Sequence, residues 1–224
     1  MGMAILKQLL HWSKEKARQP ESGMTMLELL VVVIMVGILA TTLGGSWVSF
    51  TNRQRISRLN NAVQRAIEEA QLEAKRKGIS YSASFRINNT PSDANYQKAE
   101  VAVLNADKTP TKKDWRLLGE GLDIKAGQFL LCTNISDTNA NQRGASTFCK
   151  PSDLASRRTI TFDSAGVIAP DPDFDEDNPL TITVATPEGD YSAGDPTEDR
   201  RCVRLRTLLG SITTGTGSTE CPTS

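Results

Sequence analysis

The stretch Ser22-Gly23-Met24-Thr25-Met26-Leu27-Glu28-Leu29-Leu30-Val31-Val32-Val33 leads into a run with no charged residue from Leu29 to Phe50. Rich in Leu, Val, Ile and Met, that run would extend about 33 Å as a helix, enough for the roughly 30 Å hydrocarbon core of a bilayer. It therefore reads as a transmembrane helix over about 29–50. Lys7, Lys14, Lys16 and Arg18 precede it, and the next basic residue is Arg53. This asymmetry predicts a cytoplasmic N-terminus and an extracytoplasmic remainder after about Phe50. A secretory signal peptide would carry its cleavage site behind the run and lose the run itself. Here the unusual residues, Gly23 and Glu28, stand in front of it and just inside it.

Glu28 needs a physical reason. A carboxylate carried to the centre of a bilayer costs on the order of 2.5–3.5 kcal/mol, so either a counter-charge offsets it or the side chain reaches back to the headgroups. Gly37 and the pair Gly44-Gly45 each weaken the helix by roughly 1 kcal/mol relative to alanine. They allow a bend, or the close approach of another helix at small residues.

Outward from this segment, Ile56, Leu59, Val63, Ala66, Ile67, Ala70 and Ala74 recur at three- and four-residue intervals. They predict one apolar stripe on a continuing amphipathic helix. Lys75-Arg76-Lys77-Gly78 reads as its end, with cations on the negative end of the dipole and a glycine able to close the last turn. Beyond Gly78 the period falls to two, with Tyr81, Ala83, Phe85 and Ile87 on one face of a strand. Further strands are predicted at Glu100–Leu104, Leu117–Leu118, Gln128–Cys132, Thr159–Asp163, Leu180–Ala185 and Cys202–Arg206. Polar loops are predicted around Asn88–Tyr96, Thr133–Ser152 and Pro170–Pro179. The fold class expected is α+β, with a long N-terminal helix, transmembrane in its first half, packed on an antiparallel β-sheet head.

The stretch from Ser22 to Val33 resembles the prepilin signature of type IV pilins and type II secretion pseudopilins: a glycine before the apolar helix, then a hydrophobic residue, a threonine, and one glutamate in the run. The resemblance implies a pilin-like fold and cleavage after Gly23 by a prepilin peptidase, with N-methylation of the new terminus at Met24. It gives Glu28, with Thr25 beside it, an assembly role, Glu28 pairing with the terminal amine of a neighbouring subunit. Leu72-Glu73-Ala74-Lys75-Arg76-Lys77-Gly78-Ile79, Thr159-Ile160-Thr161-Phe162-Asp163-Ser164-Ala165-Gly166 and Cys202-Val203-Arg204-Leu205-Arg206 with Leu209-Gly210 are similar to motifs of the GspH/FimT minor pseudopilins. The chain then divides into a leader over 1–23, a helix over 24–78 and a head over 79–224. Implied partners are other pilin or pseudopilin subunits, the peptidase, the inner-membrane assembly platform and the membrane. The implied localisation is single-pass in a bacterial inner membrane with an extracytoplasmic head, then in the filament. The function expected is assembly, by initiation or at the tip, of a type IV pilus or a type II secretion pseudopilus.

The 224 residues balance 26 basic against 26 acidic side chains, so bulk charge gives no reason to expect nucleic acid or an anionic surface as partner. Arg200, Arg201, Arg204 and Arg206 are the local exception, with Arg204 and Arg206 expected on one strand face. They keep a DNA-binding uptake subunit open as an alternative, against a solvated face offset by Glu198 and Asp199. DNA-binding members of the resembled family use basic residues in the tail after the glycine, whereas Gly210-Ser211-Ile212-Thr213-Thr214 has none. A second alternative is an uncleaved bitopic membrane protein with an extracytoplasmic binding domain. Cys132, Cys149, Cys202 and Cys221 all follow the apolar run and allow three disulfide connectivities. Cys132–Cys149 with Cys202–Cys221 is expected because each closes a short loop, with buried free thiols as the other reading. Asp171, Asp173, Asp175 and Asp177 alternate as calcium ligands do. The match to a calcium loop fails where Glu176 replaces glycine and Ile182 replaces the closing glutamate, so a solvated acidic loop is the simpler reading. The lone His11, the missing phosphate loop and the missing nucleophile elbow argue against an enzyme, and no cofactor is expected.

Overall fold

A computed structural model of the chain describes residues 23–138, 140–168 and 179–223, leaving aside the side chains of 42–46 and 145. Residues 1–22 of the leader and the four alternating aspartates Asp171, Asp173, Asp175 and Asp177 lie outside the described residues. The chain divides into two compact units, 1–47 and 48–224.

Helix α1 runs over Met26–Lys77 and contributes to both units. Its portion in the second unit is amphipathic, and Ile56, Leu59, Val63, Ala66, Ile67, Ala70 and Ala74 are all buried. These are the seven positions of the apolar stripe. The helix closes where Gly78 takes φ +64° and its N–H donates to the Ala74 carbonyl at 2.9 Å. Glu73 pairs with Arg76 at 2.8 Å and with Lys77 at 3.1 Å across the last turn. Hydrogen bonds from Lys77 and Arg76 hold the Glu73 carboxyl below its ordinary range.

Two antiparallel sheets share the core with this helix. The first joins β1 (Tyr81–Ile87), β2 (Ala99–Asn105), β3 (Arg116–Leu117) and β6 (Arg158–Phe162) in the order β3-β2-β1-β6. The second joins β4 (Leu130–Ile135), β5 (Arg143–Phe148), β7 (Leu180–Pro187), β8 (Pro196–Leu205) and β9 (Ile212–Thr216) in the order β5-β4-β7-β8-β9. A short helix α2, Gly217–Glu220, follows β9. Ala83, Phe85 and Ile87 alternate toward the core, where they meet Ile160 and Phe162 of β6, Leu131 and Ile135 of β4, Ile182 and Val184 of β7, and Val203 and Leu205 of β8.

Arg158 ties the two sheets together. It is 2% exposed, donates to the carbonyls of Ile135 at 3.3 Å and Asp153 at 2.5 Å, and lies over the Phe148 ring at 4.3 Å. Burial pulls its guanidinium below its ordinary value, opposed by Asp137 and Asp153.

The expected fold class needs two corrections. Among the described residues, no helix is long and apolar enough to cross a membrane. The physical reason lies in the sequence: the unbroken aliphatic run is Leu29–Ala40, about 18 Å of helix, against a hydrocarbon core of roughly 30 Å. Beyond it, Thr41, Thr42, Gly44, Gly45, Ser46 and Ser49 dilute the segment. This finding corrects the transmembrane first half over about 29–50 and does not fit the single-pass placement. The second correction is to the head, which has two sheets rather than one. The expected loop Thr133–Ser152 contains β5, whose residues Arg-Gly-Ala-Ser-Thr-Phe carry too few large apolar side chains to show a period of two. The tail after Gly210 contains β9 and α2.

Candidate functional site

Two features stand out: the start of α1 in the first unit, and the β8–β9 edge in the second. At the start of α1, Gly23, Met24 and Thr25 precede the first helical residue, Met26. Thr25 caps the helix, since its Oγ1 accepts from the Glu28 N–H at 3.2 Å and its carbonyl accepts from the Leu29 N–H at 3.1 Å. Glu28 is the acidic residue of the first turn, on the positive end of the helix dipole. Thr25-x-x-Glu28 is therefore also a capping pattern, a purely local reading of the same two residues that sequence reasoning passed over.

Apart from Glu28, the helix from Met26 to Leu39 is apolar on every side and exposed on every side: Met26 is 90% exposed, Leu27 74%, Ile34 53% and Leu39 59%. Neither glycine of this segment is explained by its surroundings. A Cβ at Gly23 or at Gly37 would meet nothing within 4 Å among the described residues, and Gly37 does not have positive φ.

In the second unit the arginines do not form one face. Strand pairing places Arg200 and Arg204 with Cys202 on one side of the sheet and Arg201 on the other. Arg206 lies one residue past the end of β8 and is exposed, so the expected Arg204 and Arg206 strand face is shortened to Arg204. Arg200 donates to Thr223 Oγ1 at 2.8 Å. The Nε atoms of Arg200 and Arg204, and Oγ1 of Thr213 opposite Arg204, are buried without a hydrogen-bond partner among the described residues. Asp199 is engaged by Arg53 at 3.0 Å, an exposed pair of small energetic weight.

Both disulfides join near neighbours in sequence, Cys132 to Cys149 and Cys202 to Cys221. Covalent sulfur pairs of this kind point to an oxidising, extracytoplasmic environment. Among the described residues no group of three or more His, Cys, Asp or Glu side chains converges as a metal site.

Several depressions mark the second unit. A cavity of about 130 Å³ has a hydroxyl floor on the outer face of the first sheet, where Ser82 bonds to Thr161 at 2.7 Å and Ser84 to Thr159 at 3.0 Å. A groove of about 380 Å³ runs beside α1 between Arg58, Arg65 and the Leu117–Leu122 turn. Arg116 crosses it to bond Glu69. No family model, curated protein or solved structure matches the chain.

Proposed function

We propose that this chain is a minor pilin or pseudopilin subunit of the GspH/FimT type, cut after Gly23 by a prepilin peptidase. Through the helix that follows, it takes part in initiating or capping a type IV pilus or a type II secretion pseudopilus. The observation that carries this reading is the exposure of a helix that is apolar all round from Leu29 to Leu39, with Glu28 just ahead of it. A helix apolar all round is stable only when something buries it, and the matching helices of neighbouring subunits provide that cover in a filament.

The two glycines support the same reading. A side chain at Gly23 or Gly37 would meet no atom among the described residues. A peptidase that reads the residue before the cut explains the first, and close packing of a neighbouring helix explains the second. Cleavage leaves the amine of Met24 as a cation, and a Glu28 carboxylate from an adjacent subunit is its natural counter-charge in an apolar filament core. The disulfide-bonded head belongs on the extracytoplasmic side, delivered there by the inner-membrane assembly platform. Quantifying a Glu28→Ala variant in sheared filament fractions, with cleavage followed in parallel, tests the docking role. Normal cleavage with at least a tenfold loss from filaments is expected, and wild-type incorporation would sink the role.

A further inference from the structure

Sheet edges expose unpaired backbone groups, and folded proteins close them by shortness, bulges, charges or covers. Three of the four edges here are closed. Strand β3 is two residues long. Strand β5 pairs with β4 through a broken register, with a shift between Thr133 and Ile135. Strand β6 is closed by Asn141: its amide accepts from the Thr161 N–H at 2.7 Å and donates to the Thr161 carbonyl at 2.9 Å, and its own N–H donates to the Thr159 carbonyl at 3.1 Å. One residue thus takes the place of a neighbouring strand.

Strand β9, Ile-Thr-Thr-Gly-Thr over Ile212–Thr216, has no such device. It pairs with β8 in five consecutive registers without a bulge, and it carries no charge and no proline. The Arg206 N–H donates to the Ser211 carbonyl at 3.0 Å, which fixes the alternation: Thr213 and Gly215 bond to β8, while the backbone groups of Ile212 and Thr214 point away from it. The next outward N–H, on Thr216, is taken by the Glu220 carboxylate at 2.7 Å. The open edge is therefore centred on Ile212 and Thr214, and no described strand pairs with it.

Charge indicates what covers it. The stretch 201–219 holds Arg201, Arg204 and Arg206 and no acidic residue, and Glu220 is already committed to Thr216. Arg204 stands opposite Thr213, next to the edge, and the polar atoms Arg204 Nε and Thr213 Oγ1 are both unsatisfied. A second copy of β9 would bring another Arg204 and Arg206 to the same edge and be repelled.

We propose that β9 accepts an extended, glutamate- or aspartate-bearing segment of a different protein by strand addition. The backbone of Ile212 and Thr214 supplies the pairing, and Arg204 and Arg206 select for acid. This inference is independent of the filament reading.

Amide hydrogen exchange on the full chain tests it, using a blocked hexapeptide of alternating valine and glutamate and its lysine counterpart, each at about 1 mM, a concentration suited to a weak contact. In the free protein the Ile212 and Thr214 amides exchange at least tenfold faster than those of Thr213 and Gly215. The glutamate peptide slows them at least tenfold, and the lysine peptide leaves them unchanged. Thr214→Pro, which removes an outward N–H only, abolishes the slowing at Ile212, and Arg204→Gln with Arg206→Gln weakens the glutamate peptide at least threefold. Slow Ile212 and Thr214 amides in the free chain, or no slowing by the glutamate peptide, would overturn the proposal. Equal binding of both peptides would overturn its choice of an acidic partner.

Discussion

The portions of α1 in the two units solve the burial problem in opposite ways. In the second unit the helix concentrates its apolar residues in one stripe, from Ile56 to Ala74, and its own chain covers all seven. In the first unit Leu29–Leu39 is apolar on all sides and exposed on all sides. Amphipathic spacing marks a helix that a single chain can satisfy; unbroken apolarity marks one that needs partners. The difference separates residues that stabilise the fold from residues to which we assign, as a proposal, a role in assembly.

The largest expected effect breaks this comparison most sharply. Ile67 is fully buried, so Ile67→Ala should lower head stability by about 4 kcal/mol in urea unfolding. Ile34, 53% exposed, should change it by less than about 0.5 kcal/mol when replaced by alanine, while lowering recovery in filaments. Equal stability losses at the two sites would erase the distinction. Next, Cys202→Ser with Cys221→Ser opens a loop with a sequence separation of 19, which predicts a loss of about 3 kcal/mol in the second unit. The same measurement made with reductant on the wild type should show that loss plus that of the other disulfide.

A smaller effect is expected at Thr25, whose cap bond to Glu28 contributes about 1 kcal/mol. Thr25→Ala should speed amide exchange in the first turn of α1 and leave the urea midpoint of the head unmoved. The smallest concerns Glu73. Its carboxyl is held below its ordinary range by hydrogen bonds from Lys77 and Arg76, so its contribution is present above the unfolded carboxylate range and disappears as pH falls through the lowered value. Glu73→Gln should therefore shift the urea midpoint slightly at pH 7 and not at all near pH 2, where carboxylates are protonated. A larger shift in acid would reverse the assigned sign.

Much of the second unit was legible because it depends on local periodicity. The stripe from Ile56 to Ala74 and the alternation of Ala83, Phe85 and Ile87 follow directly from the spacing of their side chains. The two disulfides follow from loop length. The division into two sheets was not legible, because it depends on long-range pairing: β1 takes β6 as its second neighbour, and β4 takes β7. Strand β5 and the edge strand β9 were missed because Gly144 and Gly215 interrupt short polar runs. Asn141 gave no local sign of closing an edge, since its role needs φ +65° and a partner some twenty residues away. At the candidate assembly segment, uncharged length was overread as membrane-crossing length. The capping pattern of Thr25 and Glu28 was present in the sequence and was eclipsed by their reading as assembly residues.

The central claim is that α1 begins its working life at a cut after Gly23. Mass spectrometry of the protein's N-terminus, purified from a host with a prepilin peptidase and from a peptidase-deficient counterpart, tests it most directly. The account predicts a chain starting at N-methylated Met24 in the first host and an intact leader in the second. An intact leader in both would contradict it.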